Sequence, residues 1–308
     1  MPRQVILIAD PGIDTAFAVA LALNDPTLEV LAVIPCAGNV TAAQAAINVH
    51  VLLDQLDPPR RPRTSAAVTV EYDRDGTSLH GPNGLGGVEF PVLERHSPPA
   101  AEKLIAELVR ANPHEVSVIV LGPATTLARA FAVDPELPGL LDRLVLVGGA
   151  WHEPGNAGPV AEFHFALDPD AARRMLHVGV HPTIVPLDLT RKLLYSPTEL
   201  LGLPNPDSCT GKFLRQIVPF GIRASSQIYG VEGFHLKDVL GVAALALPGA
   251  VRAVPHFVEV ETRGQFTRGM MVVDDRVTPA GRPNAQVGID AAIGEVRQYV
   301  TQILKAAT

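Results

Sequence analysis

Residues 5–23 read VILIADPGIDTAFAVALAL, and the fold turns on how that stretch is parsed. Val5–Ile8 is a short, β-branched apolar run, which with a turn behind it reads as a buried strand. Pro11-Gly12 supplies the turn. Ala16–Leu23 continues with apolar residues at helical spacing, so strand passes to helix within a few residues. Two aspartates, Asp10 and Asp14, flank the turn. Each has a structural use, Asp14 as the cap of a helix beginning near Thr15 and Asp10 as an acceptor for turn amides. Their other use is to present negative charge at a strand end.

The same alternation runs outward from this unit. Apolar runs at Val30–Ile34, Val116–Leu121, Leu144–Val147 and Thr183–Val185 are separated by helix-period segments at Ala42–Leu56, Ala100–Arg110 and Ala124–Ala132. That pattern predicts an α/β fold with a doubly wound, mainly parallel, Rossmann-like open sheet. Beyond residue 190 the chain reads as more helical, with Phe213–Tyr229, interrupted at Pro219, and Val239–Leu247. Phe257–Glu261 and Gly269–Val273 read as a hairpin or edge addition, and Asp290–Lys305 as a closing helix. Thr69–Pro98 is the longest irregular stretch and is placed to cover a site. With no long linker, residues 1–308 are expected to form one domain.

Composition narrows the function. The chain is 47% hydrophobic and 19% charged, enough apolar content for a large core. Its formal charge is -7 and its Lys/Arg clusters are short pieces such as Arg60-Arg61, so no nucleic-acid partner is expected. No uninterrupted apolar run reaches the ~18 residues of a membrane span. Met1-Pro2-Arg3-Gln4 also lacks the layout of a signal peptide, so the expectation is a soluble, cytoplasmic protein with no membrane partner. Cys36 and Cys209 are too few for a disulfide framework and read as free thiols.

In open α/β sheets, ligands sit outside the carboxyl ends of the strands. Five stretches fall at that edge. They are Asp10-Pro-Gly-Ile-Asp14, Cys36-Ala-Gly-Asn39, His80-Gly-Pro-Asn-Gly-Leu-Gly-Gly87, Leu121-Gly-Pro-Ala-Thr125-Thr126, and a loop from Val147-Gly148-Gly149 through Gly155-Asn156 to Glu162-Phe163-His164. Singly, these are turn punctuation, helix caps or surface histidines. Together they are rich in oxygen donors, which suits a neutral polyhydroxylated ligand or a hard cation. A dinucleotide site needs G-x-G-x-x-G after the first strand, where only Gly12 stands, and no Gly-Lys-Ser/Thr supplies a P-loop. An aspartyl-phosphate enzyme fits poorly, because Pro11-Gly12 and a second carboxylate at Asp14 crowd the nucleophile.

The opening loop, Gly38-Asn39, His80-Gly-x-Asn-Gly-Leu-Gly, Leu121-Gly-Pro-Ala-Thr125, Gly148-Gly149 with Gly155-Asn156, Ala161-Glu162-Phe163, Leu167-Asp168-Pro169 and Asp238-Val-Leu-Gly-Val-Ala occur in one order along the chain. In that order they resemble the inosine-uridine preferring nucleoside hydrolase family. The resemblance implies hydrolysis of a ribonucleoside N-glycosidic bond at a calcium ion (Ca2+) that holds the attacking water. It implies Asp10 as metal ligand and general base, Asp14 as partner of the ribose 2'-hydroxyl, and, as further metal ligands, Thr125 through its backbone carbonyl and Asp238 through its carboxylate. Asn39, Asn156 and Glu162 would hold ribose hydroxyls, with Phe163 against sugar or base and His80 near the leaving base. A homodimer or homotetramer is likewise implied.

Five positions depart from the family pattern. The usual opening is Asp-Thr-Asp-Pro-Gly-Ile-Asp-Asp, whereas Ile8 and Ala9 replace its first two residues and Thr15 replaces the last aspartate, a metal ligand. His164 stands where an asparagine is usual beside the ribose, and Lys237 where many members have histidine. A unit charge ~5 Å away is worth roughly 3 kcal/mol at an effective dielectric of about 20, or two decades of affinity, so losing a carboxylate at Thr15 and gaining a cation at Lys237 weakens calcium. Thr15 can stay as a monodentate or water-mediated partner. Lys237 can take the cation's place beside Asp10 and Asp238, or serve as leaving-group acid, with His235 as a competing acid. Trp151 and Tyr229 are candidates for stacking on a nucleobase. The alternative to a hydrolase is a nucleoside- or ribose-binding protein, or a glycoside hydrolase of altered substrate, on the same fold. The feature that separates the two is the cation site of Asp10, Asp14, Thr15, Thr125 and Asp238.

Overall fold

A computed structural model describes residues 1–92 and 98–307. Its strands are β1 (Arg3–Ala9), β2 (Leu28–Pro35), β3 (Arg63–Thr64), β4 (Val116–Leu121), β5 (Arg143–Val147), β6 (Thr183–Val185), β7 (Leu194–Tyr195), β8 (Phe234–His235), β9 (Val251–Val260), β10 (Met271–Asp274) and β11 (Ala285–Ala291). Nine of them form one sheet in the order β10-β9-β11-β6-β5-β4-β1-β2-β3. The pairs from β3 across to β11 are parallel, and β9 and β10 are added antiparallel at the edge. β7 and β8 form a separate antiparallel ribbon. The sheet is thus the open, mainly parallel α/β sheet that the alternation predicts.

Strand β1 shows why both faces are covered. Successive side chains of a strand point to opposite faces. Val5, Leu7 and Ala9 enter one core with the helices Ile13–Asn24, Ala42–Leu56 and Val239–Ala246. Ile6 and Ile8 enter a second core with the helices Ala101–Ala111 and Thr125–Val133. The helix Ile13–Asn24 is buried from Ile13 to Ala22, because it sits between the sheet and an outer layer that includes the helix Cys209–Tyr229. A helix apolar on all sides belongs in such a place.

The chain starts at β1, builds outward to β3, then returns to the far side of β1 with β4. The strand order therefore reverses between β1 and β4, and a crevice opens at their carboxyl ends. Asp10 directly follows β1 at this point.

Two readings are corrected by the structure. Pro219 does not interrupt the helix, which is continuous over Cys209–Tyr229. Pro219 lies on its exposed face, so the turn that loses a hydrogen bond is not sealed in the core. The closing segment is strand then helix: β11 precedes the helix Ile293–Ala306. Gly288 hides that strand in the sequence, yet a Cβ there would lie 3.0 Å from the Ile184 carbonyl oxygen, so close strand packing requires glycine. The irregular stretch 69–98 contains the short helix Thr77–His80, and residues 93–97 of it lie outside the described residues. Among the described residues, no helix is long and apolar enough to cross a membrane.

The helix Val239–Ala246 abuts the sheet through Gly241, where a Cβ would lie 2.4 Å from Val147 Cγ2 and 3.2 Å from Leu121 Cδ2. Gly241→Ala should therefore overpack the ends of β4 and β5 and cost about 1–3 kcal/mol. A urea unfolding midpoint equal to that of the unaltered chain would contradict this packing.

Candidate active site

At the crevice lies a cavity of about 700 Å³, counted with its open mouth. Asp14, Asn39, His80, Glu162, His164, Lys237 and Asp238 line it, with Asn156, Phe163 and Tyr229. That size suits a small organic ligand. Asp10 is fully buried and is not itself on the lining; its Oδ2 lies 3.6 Å from Nε2 of the lining residue His164.

The turn after β1 is held by two neighbouring loops. The Asn39 backbone N–H donates to Asp10 Oδ2 at 3.1 Å, and its side-chain amide donates to the Asp10 carbonyl at 2.8 Å. A Cβ on Gly38 would fall 2.2 Å from Asp10 Oδ2, and one on Gly122 would fall 3.0 Å from Asp10 Cγ. Two glycines, behind β2 and β4, thus make room for this carboxylate. Its Oδ1 is buried and has no hydrogen-bond partner among the described residues. Burial, then the charges of Asp238 and Asp14, push the Asp10 carboxyl well above its ordinary range, against the pull of Asn39.

Asp14 lies in the first turn of the helix Ile13–Asn24, which Gly12 caps without a side chain, so Asp14 is not the cap. His80 stands over it, its Nδ1 3.8 Å from Asp14 Oδ1. That contact is not an ion pair, because Nδ1 accepts from the Ile13 N–H at 3.1 Å and so carries no proton. Burial lowers the His80 pKa to about 4, outweighing Asp14, which raises it. The ring is therefore neutral, with its hydrogen on Nε2, and it meets Phe234 edge-on at 5.9 Å.

Asp238 precedes the helix Val239–Ala246 and is also buried. Burial, and next the charge of Asp14, hold its carboxyl well above the ordinary range, while the Thr15 hydrogen bond and Lys237 act downward. Thr15 Oγ1 donates to Asp238 Oδ2 at 2.7 Å. Lys237 is half-buried, lines the cavity and makes no close ion pair among the described residues. His235 lies outside the lining, and burial, then Lys237 and Arg191, lower it to about 4.

The fifth loop closes the cavity from the β5 side. Glu162 Oε2 accepts from the N–H groups of Gly149, His164 and Phe165 at 3.1, 2.9 and 3.2 Å, capping the short helix Phe163–Leu167. Asn156 Oδ1 accepts from the Phe163 N–H at 2.8 Å. His164 Nδ1 donates to the Val147 carbonyl at 2.8 Å, which turns Nε2 to within 3.6 Å of Asp10 Oδ2.

Trp151 is not on the lining: it stacks on His152 at 4.3 Å and packs against His256. Thr125 is not on it either, and its hydroxyl donates to Asp168 Oδ2 at 2.5 Å while accepting from Tyr72. Tyr229 lies at the mouth, at the end of the long helix.

Sequence reasoning passed over the residues that hold these loops. Asn48, buried in the helix Ala42–Leu56, donates to the carbonyls of Pro11 and Asn83 at 3.3 and 2.7 Å and so ties the first loop to the third. Asp188 accepts from the N–H groups of Trp151, His152 and Glu153 at 2.9, 2.7 and 3.2 Å. Asn48 carries a sequence signal, a polar residue on the apolar face of a helix. Asp188 carries none.

The comparisons with known proteins agree with this geometry. The model of the inosine-uridine preferring nucleoside hydrolase family matches residues 5–298. The chain belongs to that family. Among curated relatives, the non-specific ribonucleoside hydrolase RihC of Escherichia coli strain SE11 is 33% identical, the match covering 100% of both chains. The protein of that name from Shigella dysenteriae serotype 1 is 32% identical over the same extent. A solved plant nucleoside hydrolase, the PpNRh1 enzyme, superposes with a TM-score of 0.92 at 26% identity, covering 99% of this chain and 100% of that one. The purine-preferring ribonucleoside hydrolase from Gardnerella vaginalis superposes at 0.88 with 27% identity and the same coverage.

A metal-dependent active site is a general feature of this family. The donor set of this chain is a poor fit to calcium, which takes six to eight oxygens. Thr15 turns its hydrogen toward Asp238, and a ring nitrogen, not an oxygen, faces Asp10. Among the described residues, no group of three or more His, Cys, Asp and Glu side chains is arranged to hold a metal ion.

The His80 assignment is directly measurable. Imidazole nitrogen resonances should identify a neutral ring protonated on Nε2, untitrated until the pH falls to about 4. A ring protonated on Nδ1, or one that titrates near its ordinary value of 6.5, would contradict it.

Proposed function

We propose that this chain is a nucleoside N-ribohydrolase: it hydrolyses the N-glycosidic bond of ribonucleosides to ribose and free base. The observation that carries the reading is the family match over residues 5–298, together with a buried aspartate, Asp10, whose free oxygen stands at the switch point where the family's site would lie.

The chemistry follows from the groups present. A water oxygen bonds to the anomeric carbon of the ribose while the carbon–nitrogen bond breaks, its electron pair leaving with the base. The sugar becomes positively charged in the transition state, which buried carboxylates stabilise. Asp10 Oδ1 takes the proton of the water, a task suited to a carboxyl held above its ordinary range. Asp14, Asn39, Asn156 and Glu162 position the ribose hydroxyls, and Phe163 and Tyr229 border the base. His80 and His235 are both neutral, so neither brings an imidazolium to the leaving base. Lys237, with an ammonium on the lining, is the group that delivers that proton. Calcium, the ion that family resemblance implies, is weakly supported by Thr15, His164 and Lys237, and no step here passes through it. Assembly as a homodimer or homotetramer, and action in the cytoplasm, belong to the same reading and rest on resemblance and composition.

Asp10→Asn keeps an oxygen for the Asn39 N–H and removes the base. It should cut the turnover of every accepted nucleoside by at least ~100-fold. The melting midpoint should not fall, because a buried carboxylate is exchanged for a neutral group of the same shape. Unchanged turnover would sink the role given to Asp10. Tight nucleoside binding without turnover by the unaltered chain would favour the binding-protein alternative.

A further inference from the structure

Two carboxylates, Asp14 and Asp238, line the cavity, and a third, Asp10, is buried behind the lining residue His164 with its Oδ2 3.6 Å from that ring. Such a cluster needs positive charge or hydrogen-bond donors close by. In many sites a bound cation meets that need. Here the chain's own side chains stand against Asp238 and Asp10.

Around Asp238, the Thr15 hydroxyl occupies Oδ2 at 2.7 Å with its hydrogen directed at the carboxylate. Thr15 is fully buried, so this bond is shielded from water. Around Asp10, Oδ2 accepts from Asn39, and the His164 ring stands beside it with Nε2 at 3.6 Å. The ring is fixed in that pose by its Nδ1–H bond to the Val147 carbonyl at the end of β5. It therefore places a nitrogen, which hard cations do not favour, next to the deepest carboxylate. Lys237 adds a formal charge one residue before Asp238, on the cavity wall.

We propose that the ribose end of this cavity works without a divalent cation, because Thr15 and His164 crowd the place that calcium would take beside Asp10 and Asp238, and Lys237 adds a positive charge on the cavity wall. This rests on the hydrolase reading for the identity of the sugar. Its consequence is that ribose is gripped by protein groups alone, with Asp14 and Glu162 accepting from its hydroxyls.

The test uses the whole purified chain and has two arms read separately. In the first, elemental analysis is followed by calorimetric titration of calcium into chelator-treated protein with no nucleoside present. The expected result is no stoichiometric divalent metal and no saturable heat. One calcium, or one divalent ion of any kind, bound per chain would overturn the proposal. In the second arm, free-base release from a panel of purine and pyrimidine ribonucleosides is followed with and without chelator. Equal rates support the proposal, and loss on chelation with recovery on adding calcium overturns it. Absence of turnover on every nucleoside would count against the hydrolase reading, while the calcium titration would still decide the cation question.

A double variant, Thr15→Asp with His164→Asn, supplies a carboxylate and clears the ring. Calcium should raise its melting midpoint and leave that of the unaltered chain unmoved. A folded variant indifferent to calcium would remove Thr15 and His164 from the role given to them. If the variant does not fold, the titration of the unaltered chain decides.

Discussion

Three aspartates share one poorly hydrated corner, and most of the unusual features of the structure follow from keeping them there. Asp10 is fully shielded, and Asp14 and Asp238 nearly so. Burial first, and then the charge of each ionised neighbour, makes ionisation harder, which is why Asp10 and Asp238 are both displaced above the ordinary carboxylate range. The fold meets the cost with directed donors: the Asn39 amide on Asp10 and the Thr15 hydroxyl on Asp238. The arrangement stores a proton acceptor, Asp10 Oδ1, that nothing else in the described residues uses.

Placing that acceptor is the work of the sheet. The reversal of strand order between β1 and β4 opens the crevice, and the glycines behind β2 and β4 let the neighbouring loops close on Asp10. Loops then need anchors, because strand ends alone do not fix them. Asn48 anchors the first loop to the third, and Asp188 gathers three consecutive N–H groups of the fifth. These bonds link the packed core to the loops of the site.

Much of this was legible in the sequence. The five principal parallel strands and the helix Ala42–Leu56 follow from periodicity, since burial on both faces leaves unbroken apolar runs. The opening loop betrayed itself because two carboxylates around a Pro-Gly turn have no shared structural need. Legibility ended where a residue's role depends on its partner. That Thr15 serves Asp238 is set across 223 positions, and that His164 turns toward Asp10 is set by the Val147 carbonyl. Trp151 looked like a base-stacking group by type and loop, yet packing with His152 and His256 claims it. The strand β11 was hidden by its glycine, whose need appears only once Ile184 lies against it.

The central claim is that the crevice beside Asp10 receives the sugar of a nucleoside with its anomeric carbon toward Oδ1. A crystal structure of Asp10→Asn soaked with inosine, and separately with uridine, tests it most directly. The account predicts an intact nucleoside whose ribose hydroxyls lie within hydrogen-bond distance of Asp14 and whose anomeric carbon faces residue 10 across one water. A nucleoside bound elsewhere, or a ribose turned away from Asp14 with the base buried in its place, would contradict it.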